Sequence, residues 1–327
     1  MDAPRRPAET DADGDADADF RHDVLAGLRQ RPRAIPARWF YDHRGSQLFE
    51  AITRLPEYYL TRTETALLEA HSPEIAERVG SGHAVVEFGS GASVKTRILL
   101  RHARPSTYVP IDISGDFLRE AAAGLEGDFP GLKVLPVEAD FMGPMALPRE
   151  MAPGPRLGFF PGSTIGNLVA GSAVDLLRRM KETLGVDSWL VIGMDRLKDP
   201  AELVRAYDDS AGVTAEFNLN LLARINRELG GDVPIGGFRH KIVWNETRSR
   251  IEMHLEAVRD VRFSVEGETF EMAAGETIHT ENSHKYSARD SRFMLLAGGW
   301  EPVGEWTDAE ERFSLVLARA EPPRFAP

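Results

Sequence analysis

Apolar and polar positions along this chain follow three successive periodicities. Phe20, Val24, Leu25 and Leu28 recur at helical spacing, which predicts a short amphipathic helix over Phe20 to Gln30 that Pro32 and Pro36 bring to an end. An aromatic run follows at Trp39, Phe40 and Tyr41, then a second helix over Ser46 to Arg54 and an extended stretch from Pro56 to Tyr59. Thr61 stands three residues before Glu64, the pattern of a capping box, and helical periodicity continues from there to Val79. Beyond His83 the pattern changes to short unbroken apolar runs, which a strand buried on both faces requires. These runs predict strands at Ala84 to Phe88, Thr107 to Ile111, Lys133 to Val137, Leu157 to Phe160 and Trp189 to Met194, with helices between them. Strands that alternate with helices imply a mainly parallel sheet with right-handed crossovers.

From Asp199 to about Tyr286 the alternation stops. Val213, Phe217, Leu221, Ile225 and Leu229 mark one long helix that ends at Gly230 and Gly231. Period-two stretches then run over Phe238 to Trp244, Arg250 to Val258, Val261 to Val265 and Thr269 to Met272, which read as antiparallel hairpins. The segment is expected to be an α+β insertion. Ser287 begins a further helix that runs through Leu296, and Trp300 to Trp306 and Phe313 to Arg319 are two closing strands. The fold class that follows is α/β, a class I (Rossmann-like) methyltransferase sheet with an inserted α+β substrate-binding domain. Its expected divisions are a disordered tail over residues 1–19, a substrate-binding unit over 20–60 and 197–286, and a cofactor-binding unit over 61–196 and 287–327.

The chemistry gathers where the strands end. After Phe88 the chain passes through Gly89 and Gly91, which allow a tight turn and close approach to a ligand, and Ser90 or Ser93 can cap the helix that follows. A dinucleotide fingerprint would place a third glycine where Val94 stands, so the turn suits a ligand without a diphosphate. S-adenosylmethionine fits, with Glu87 near its amino-acid end and Asp112, at the end of the second strand, placed to accept both ribose hydroxyls. Asp140, Phe141, Gly162 and Asp195 fall on the same ligand-binding edge.

Composition narrows the setting. In a chain of 327 residues, 42% apolar and 28% charged residues describe an ordinary globular protein with a large core. A net charge of -12 without a long basic run argues against nucleic acid or an anionic membrane as partner. The absence of cysteine excludes disulfides and thiolate metal sites, and no metal is expected. The first twenty residues lack the apolar core of a signal peptide and no window reaches the length of a membrane span, so a cytoplasmic monomer is expected.

Several longer strings carry more information. The segments WFYDHRGSQLFEAITRLPEYYLTRTE, VEFGSGASVKT, GSTIGNL, RAYDDSAGVTAEFNLN, IEMHLEA and TENSHKYS together resemble the L-histidine Nα-methyltransferases of ergothioneine biosynthesis, over nearly the whole ordered length. The resemblance implies that S-adenosylmethionine is held at Gly89, Lys95, Asp112, Asp140 and Phe141. It implies a histidine site at Tyr58, Asn167, Tyr207, Glu281 and Ser283, with Tyr41 and Gly162 beside the reacting amine. His284 departs from the small group some relatives carry, but neighbours on a strand face opposite ways.

The residue types agree with that assignment. An amide and a hydroxyl, Asn167 and Tyr207, can hold a carboxylate without excess positive charge, and Glu281 and Ser283, two apart on one strand face, can share the two imidazole nitrogens. The implied reaction is trimethylation of the α-amine of L-histidine, with Tyr41 and Phe217 offering aromatic faces to the growing ammonium. Two alternatives stay open at this point. One is a methyltransferase for another amino acid such as tryptophan, against which an acid at 281 argues because an indole is only a donor; the other is a non-enzymatic S-adenosylmethionine-binding regulator.

Overall fold

The computed structural model describes residues 12–91, 94–113, 115–143, 145–151 and 154–322. In chain order come α1 (Ala12–Arg29), β1 (Arg33–Ala34), α2 (His43–Ile52), α3 (Tyr59–Val79), β2 (Ala84–Phe88), α4 (Val94–Ala103), β3 (Thr107–Asp112) and α5 (Gly115–Asp128). Next are β4 (Lys133–Val134), β5 (Val137–Glu138), β6 (Arg156–Phe160), α6 (Ala170–Leu184), β7 (Trp189–Asp195), α7 (Pro200–Tyr207) and α8 (Val213–Glu228). The chain closes with β8 (Phe238–Asn245), β9 (Arg250–Ala257), β10 (Val261–Val265), β11 (Glu268–Met272), β12 (Thr277–His284), α9 (Ala288–Ala297), β13 (Trp300–Thr307) and β14 (Phe313–Ala320).

The main sheet has the order β13-β14-β7-β6-β2-β3-β4, and β5 also pairs with β3. Strands β2 to β7 run parallel, and β14 and β13 are added antiparallel at one edge, as the sequence predicts. The middle strands are buried on both faces, as in β2 where all five residues are enclosed, which is why they read as unbroken apolar runs. One expected strand, Lys133 to Val137, is instead two short pieces separated by Leu135 and Pro136; Pro136 has no N–H to donate to β3, and the ladder is interrupted there.

The segment 199–286 adds a second sheet, β1-β12-β9-β8, and a separate β10-β11 hairpin. Strand β1, from the N-terminal segment, pairs in parallel with β12 through Arg33 opposite Ile278. Beyond β12 the chain docks on the main sheet, where the Tyr286 amide donates to the Asp195 carbonyl at 3.0 Å. Two expectations at the N-terminus change. Helix α1 begins at Ala12, so part of the expected tail is helical: the face of Phe20, Val24 and Leu28, buried in the core, supplies the costly nucleus, after which each residue adds a bond. Helix α2 starts at His43 rather than Ser46, because the Asp42 side chain accepts from the Gly45 amide and fixes that end.

Candidate active site

At the carboxyl edge of the main sheet, Gly89 and Gly91 take φ of +75° and +47°, values that a residue with Cβ adopts only with strain. A Cβ on Gly89 would lie 3.5 Å from Cε1 of Phe141, an ordinary contact that sets the turn beside that ring. The Gly91 amide donates to Asp112 Oδ2 at 3.1 Å, which ties the turn to the end of β3. Asp140 accepts from the Met142 amide at 2.8 Å and from Arg38 Nη1 at 2.5 Å. Ser93 lies outside the described residues. Ser90 is buried and its Oγ has no hydrogen-bond partner among the described residues. Glu87 is buried too, and its Oε2 accepts from Thr96 Oγ1 and Tyr108 Oη. Burial pushes this carboxyl up to about 8 against those two bonds, so Glu87 is anchored in the core as a neutral acid, with only its second oxygen left for the amino-acid end of a ligand.

Behind this edge lies an acid that the sequence reading placed elsewhere. Helix α3 starts at Tyr59, which puts Glu64 in its second turn instead of in a capping box with Thr61. Its side chain is fully enclosed, accepts the Gly162 amide at 3.0 and 2.8 Å, and forms an ion pair with Lys95. A Cβ on Gly193 would come within 1.9 Å of Glu64 Oε1, so β7 needs glycine there. Gly162 and Ser163 both hold positive φ, +82° and +57°. Ser163 is in a region unfavourable for a side chain, and its Oγ accepts the Asp195 amide at 2.9 Å, a contact that offsets the strain.

The second wall comes from β12 and α7. Tyr207 Oη and Ser283 Oγ are 2.6 Å apart, and the Tyr58 ring meets the Tyr207 ring edge-on at 6.0 Å. Tyr41 packs on Phe49 and Phe217, at 5.6 and 5.9 Å between centroids. Burial raises the phenols of Tyr41, Tyr58 and Tyr207 well above the usual tyrosine range, and Glu281 acts on all three electrostatically. Glu281 itself has no side-chain hydrogen bond among the described residues; burial pushes it up to about 7 while Lys285 opposes the shift. Asn167 ends a 3-10 turn over Thr164–Asn167 and does not cap α6, whose N-cap is Val169. That turn lies against β12: a Cβ on Gly166 would stand 3.0 Å from the His284 carbonyl. Tyr41 lies near enough to both groups for Glu281 and Asp112 each to raise its phenol electrostatically.

A family model described as histidine-specific, S-adenosylmethionine-dependent methyltransferase matches residues 20–320. The chain belongs to this family. A histidine N-alpha-methyltransferase of Mycolicibacterium smegmatis is 42% identical over 94% of this chain and 96% of its own. The ergothioneine biosynthesis protein 1 of Neurospora crassa is 32% identical over 88% of this chain but only 33% of that longer protein. Among solved structures, a DUF574 family protein from Streptomyces avermitilis has a TM-score of 0.50 at 15% identity, covering 87% of this chain and 96% of that one, a likeness of fold alone.

For a methyltransferase of this family, the donor side chains at the first edge suit S-adenosylmethionine. Ser90 Oγ is a buried polar atom with no hydrogen-bond partner among the described residues, in the same turn as Gly89, which lies beside the Phe141 ring. The second wall adds a charged group to the expected set. Lys285 is enclosed beside Tyr207 and Ser283, and with Lys198 it faces the single carboxylate of Asp195. Neither Lys285 nor Glu64 was legible as a site residue, because a lone lysine in a strand and a lone acid in a helix read as solvated faces. On the other face of β12 and β9, Glu252, His254 and His279 bring metal-capable atoms within 4.8 Å of one another; there Glu252 Oε1 already accepts from Arg250 and Asn245. No helix among the described residues is long and apolar enough to cross a membrane.

Proposed function

We propose that the protein transfers three methyl groups from S-adenosylmethionine to the α-amine of L-histidine, giving trimethylhistidine (hercynine), the first step of ergothioneine biosynthesis. The observation that carries this reading is Glu281, whose carboxyl burial pushes up to about 7 and which has no side-chain hydrogen bond among the described residues, on the strand face that also carries Ser283. An imidazole has an N–H for that carboxylate.

In this reading Gly89, Lys95, Asp112, Asp140 and Phe141 hold the methyl donor, which supplies an electrophilic methyl on a sulfonium. Tyr58, Asn167, Tyr207, Glu281 and Ser283 hold histidine, and Tyr41 and Gly162 flank its amine. The protein's task is then alignment of a neutral amine. Tyr41 and Tyr58 stay protonated at neutral pH, so neither serves as a base, and each can only accept or donate a hydrogen bond as a phenol. A carboxylate beside the amine would hold it charged. Asp195 and Glu64 avoid this, since Asp195 is paired with two lysines and Glu64 with Lys95, and Glu281 is assigned to the imidazole end. The faces of Tyr41 and Phe217 suit the cation that grows with each methyl. Incubation with S-adenosylmethionine and a pool of amino acids, read by mass spectrometry, tests the reading: histidine should gain three methyl groups. Methylation of tryptophan in its place, or binding of the cofactor with no turnover, would overturn it.

A further inference from the structure

The side chain of Lys285 is wholly enclosed, a rare place for a lysine. Its Nζ lies 2.6 Å from Asp195 Oδ2, 2.7 Å from Ser283 Oγ and 3.0 Å from Tyr207 Oη. An ammonium has three N–H donors and no acceptor, so these contacts use all of it, and Lys285 has no proton left for a ligand. Tyr207 and Ser283 each accept from Lys285 and stand 2.6 Å from one another. One hydroxyl proton is spent along that contact. The other has no acceptor among the described residues, so whichever hydroxyl donates inward, the pair keeps one proton for a ligand.

The charges point the same way. Lys198 Nζ lies 2.6 Å from Asp195 Oδ1, and donates to the Tyr59 hydroxyl and the Arg196 carbonyl at the same distance. Two ammonium groups therefore share one buried carboxylate. Burial draws both lysines toward their neutral forms and Asp195 resists it. Glu281 also acts on Lys285 and Glu202 on Lys198, but among the described residues Asp195 is the one carboxylate in direct contact with either ammonium.

We propose that Lys285 is a positioning residue, one that fixes Tyr207 and Ser283 as a donor pair and lends their wall a positive charge, so that the enzyme selects a free amino acid by its carboxylate. The inference rests on the reading that this wall receives histidine, and it adds how the carboxylate is recognised. The carboxylate would be met by an oriented hydroxyl with a cation behind it, a charge-assisted contact in which the charge sits one atom back.

The test uses the full chain and compares L-histidine with histamine, which keeps the imidazole and the amine but lacks the carboxylate. Affinities are measured by calorimetry with S-adenosylhomocysteine present. The wild-type protein should bind L-histidine at least a hundredfold more tightly than histamine, and Lys285→Met should lose at least tenfold of that preference, with KM for histidine rising more than kcat falls. Lys285→Arg, which keeps a charge and donors, should recover part of the loss. Cofactor affinity and circular dichroism should be those of the wild type. A folded Lys285→Met protein with the wild-type preference overturns the proposal. Should that variant fail to fold, Lys285→Gln, which removes the charge but keeps a neutral donor, is measured in its place, and the same ratio decides. A wild-type protein that does not bind L-histidine at all would be a different result: it removes the substrate reading and this inference with it.

Discussion

His279 and Glu281 stand two residues apart on β12 yet face opposite sides of the sheet. His279 is paired with His254 and stacks on its ring at 4.7 Å, whereas Glu281 is paired with Met253 because the register shifts between them. Thr280 is the extra residue of this bulge, and its Oγ1 lies 2.8 Å from Asn218 Oδ1 and 3.0 Å from the Met253 carbonyl, the two acceptors open to its one proton. Beyond the bulge, Glu281 and Ser283 share the face of Met253 and Ile251, with Lys285 next on that side, while Asn282 and His284 go with Glu252 and Arg250. Deleting Thr280 should therefore leave Glu281, Ser283 and Lys285 facing inward and retain measurable histidine binding, but deleting Asn282 should turn Ser283 and Lys285 outward and abolish it. Calorimetry on the two deletions checks this, and equal damage from both would count against the register argument.

Glu281 should set the pH dependence of substrate selection. Its carboxyl sits near 7 because burial disfavours the charged form, so it gains a proton as pH falls through 7 and loses the charge that holds an imidazole N–H. The ratio of kcat/KM for histidine, wild type over Glu281→Gln, cancels the titration of the substrate. It should be largest above pH 8 and shrink toward pH 6. A charge-assisted hydrogen bond is worth roughly 1.5 to 3 kcal/mol, so Glu281→Ala should cost at least about tenfold in kcat/KM. A ratio flat with pH would show that the carboxyl is not read by the substrate.

Gly193 and Glu64 should behave as one unit. A methyl group at 193 meets the Glu64 carboxylate head-on, so Gly193→Ala should displace Glu64 from the Gly162 amide and from Lys95. Overpacking of this kind costs about 1 to 3 kcal/mol, and kcat/KM should fall at the same time. Glu64→Asp, shorter by one methylene, should tolerate Gly193→Ala better than the wild-type acid does. A double-mutant cycle on thermal stability measures the coupling, and simple additivity would exclude it.

Asp112 should support the cofactor. Asp112→Ala removes the acceptor of the Gly91 amide at the sheet edge, and S-adenosylmethionine affinity measured by calorimetry should weaken by at least tenfold with the fold intact. Unchanged affinity would take Asp112 out of the site.

Glu87 should make the protein less stable in base. Its carboxyl is held near 8 in the folded chain against an ordinary 4.5, so between those values the folded state keeps a proton that the unfolded state has lost. Stability then falls as pH rises through that window, by up to about 1.4 kcal/mol per unit from this group, and levels off above about 8. Glu87→Gln cannot ionise and should lose that slope, which chemical denaturation at pH 6, 7 and 8 would reveal. Parallel slopes in the two proteins would place the ionisation elsewhere.

The sequence by itself determined the order of elements, the parallel sheet with its closing hairpin, and the glycine turn with Asp112 after it. Those features rest on local regularities, namely unbroken apolar runs, four-residue spacing and glycines at turns, all of which are visible within a short window. The family strings also named the residues from which the site is proposed. What only the tertiary structure decided depends on partners far away in the chain. Glu64 reads as a cap until its carboxylate is found on the Gly162 amide, 98 positions on. Lys285 reads as a solvated strand residue until Asp195, 90 positions before it, is found against its ammonium. Pro136 splits a strand that its flanking apolar residues would have continued, and a single bulge at Thr280 selects which side chains of β12 face the site. A buried charge is stable only where another element supplies its counterpart, and that meeting is a property of the folded sheet rather than of any segment of the chain.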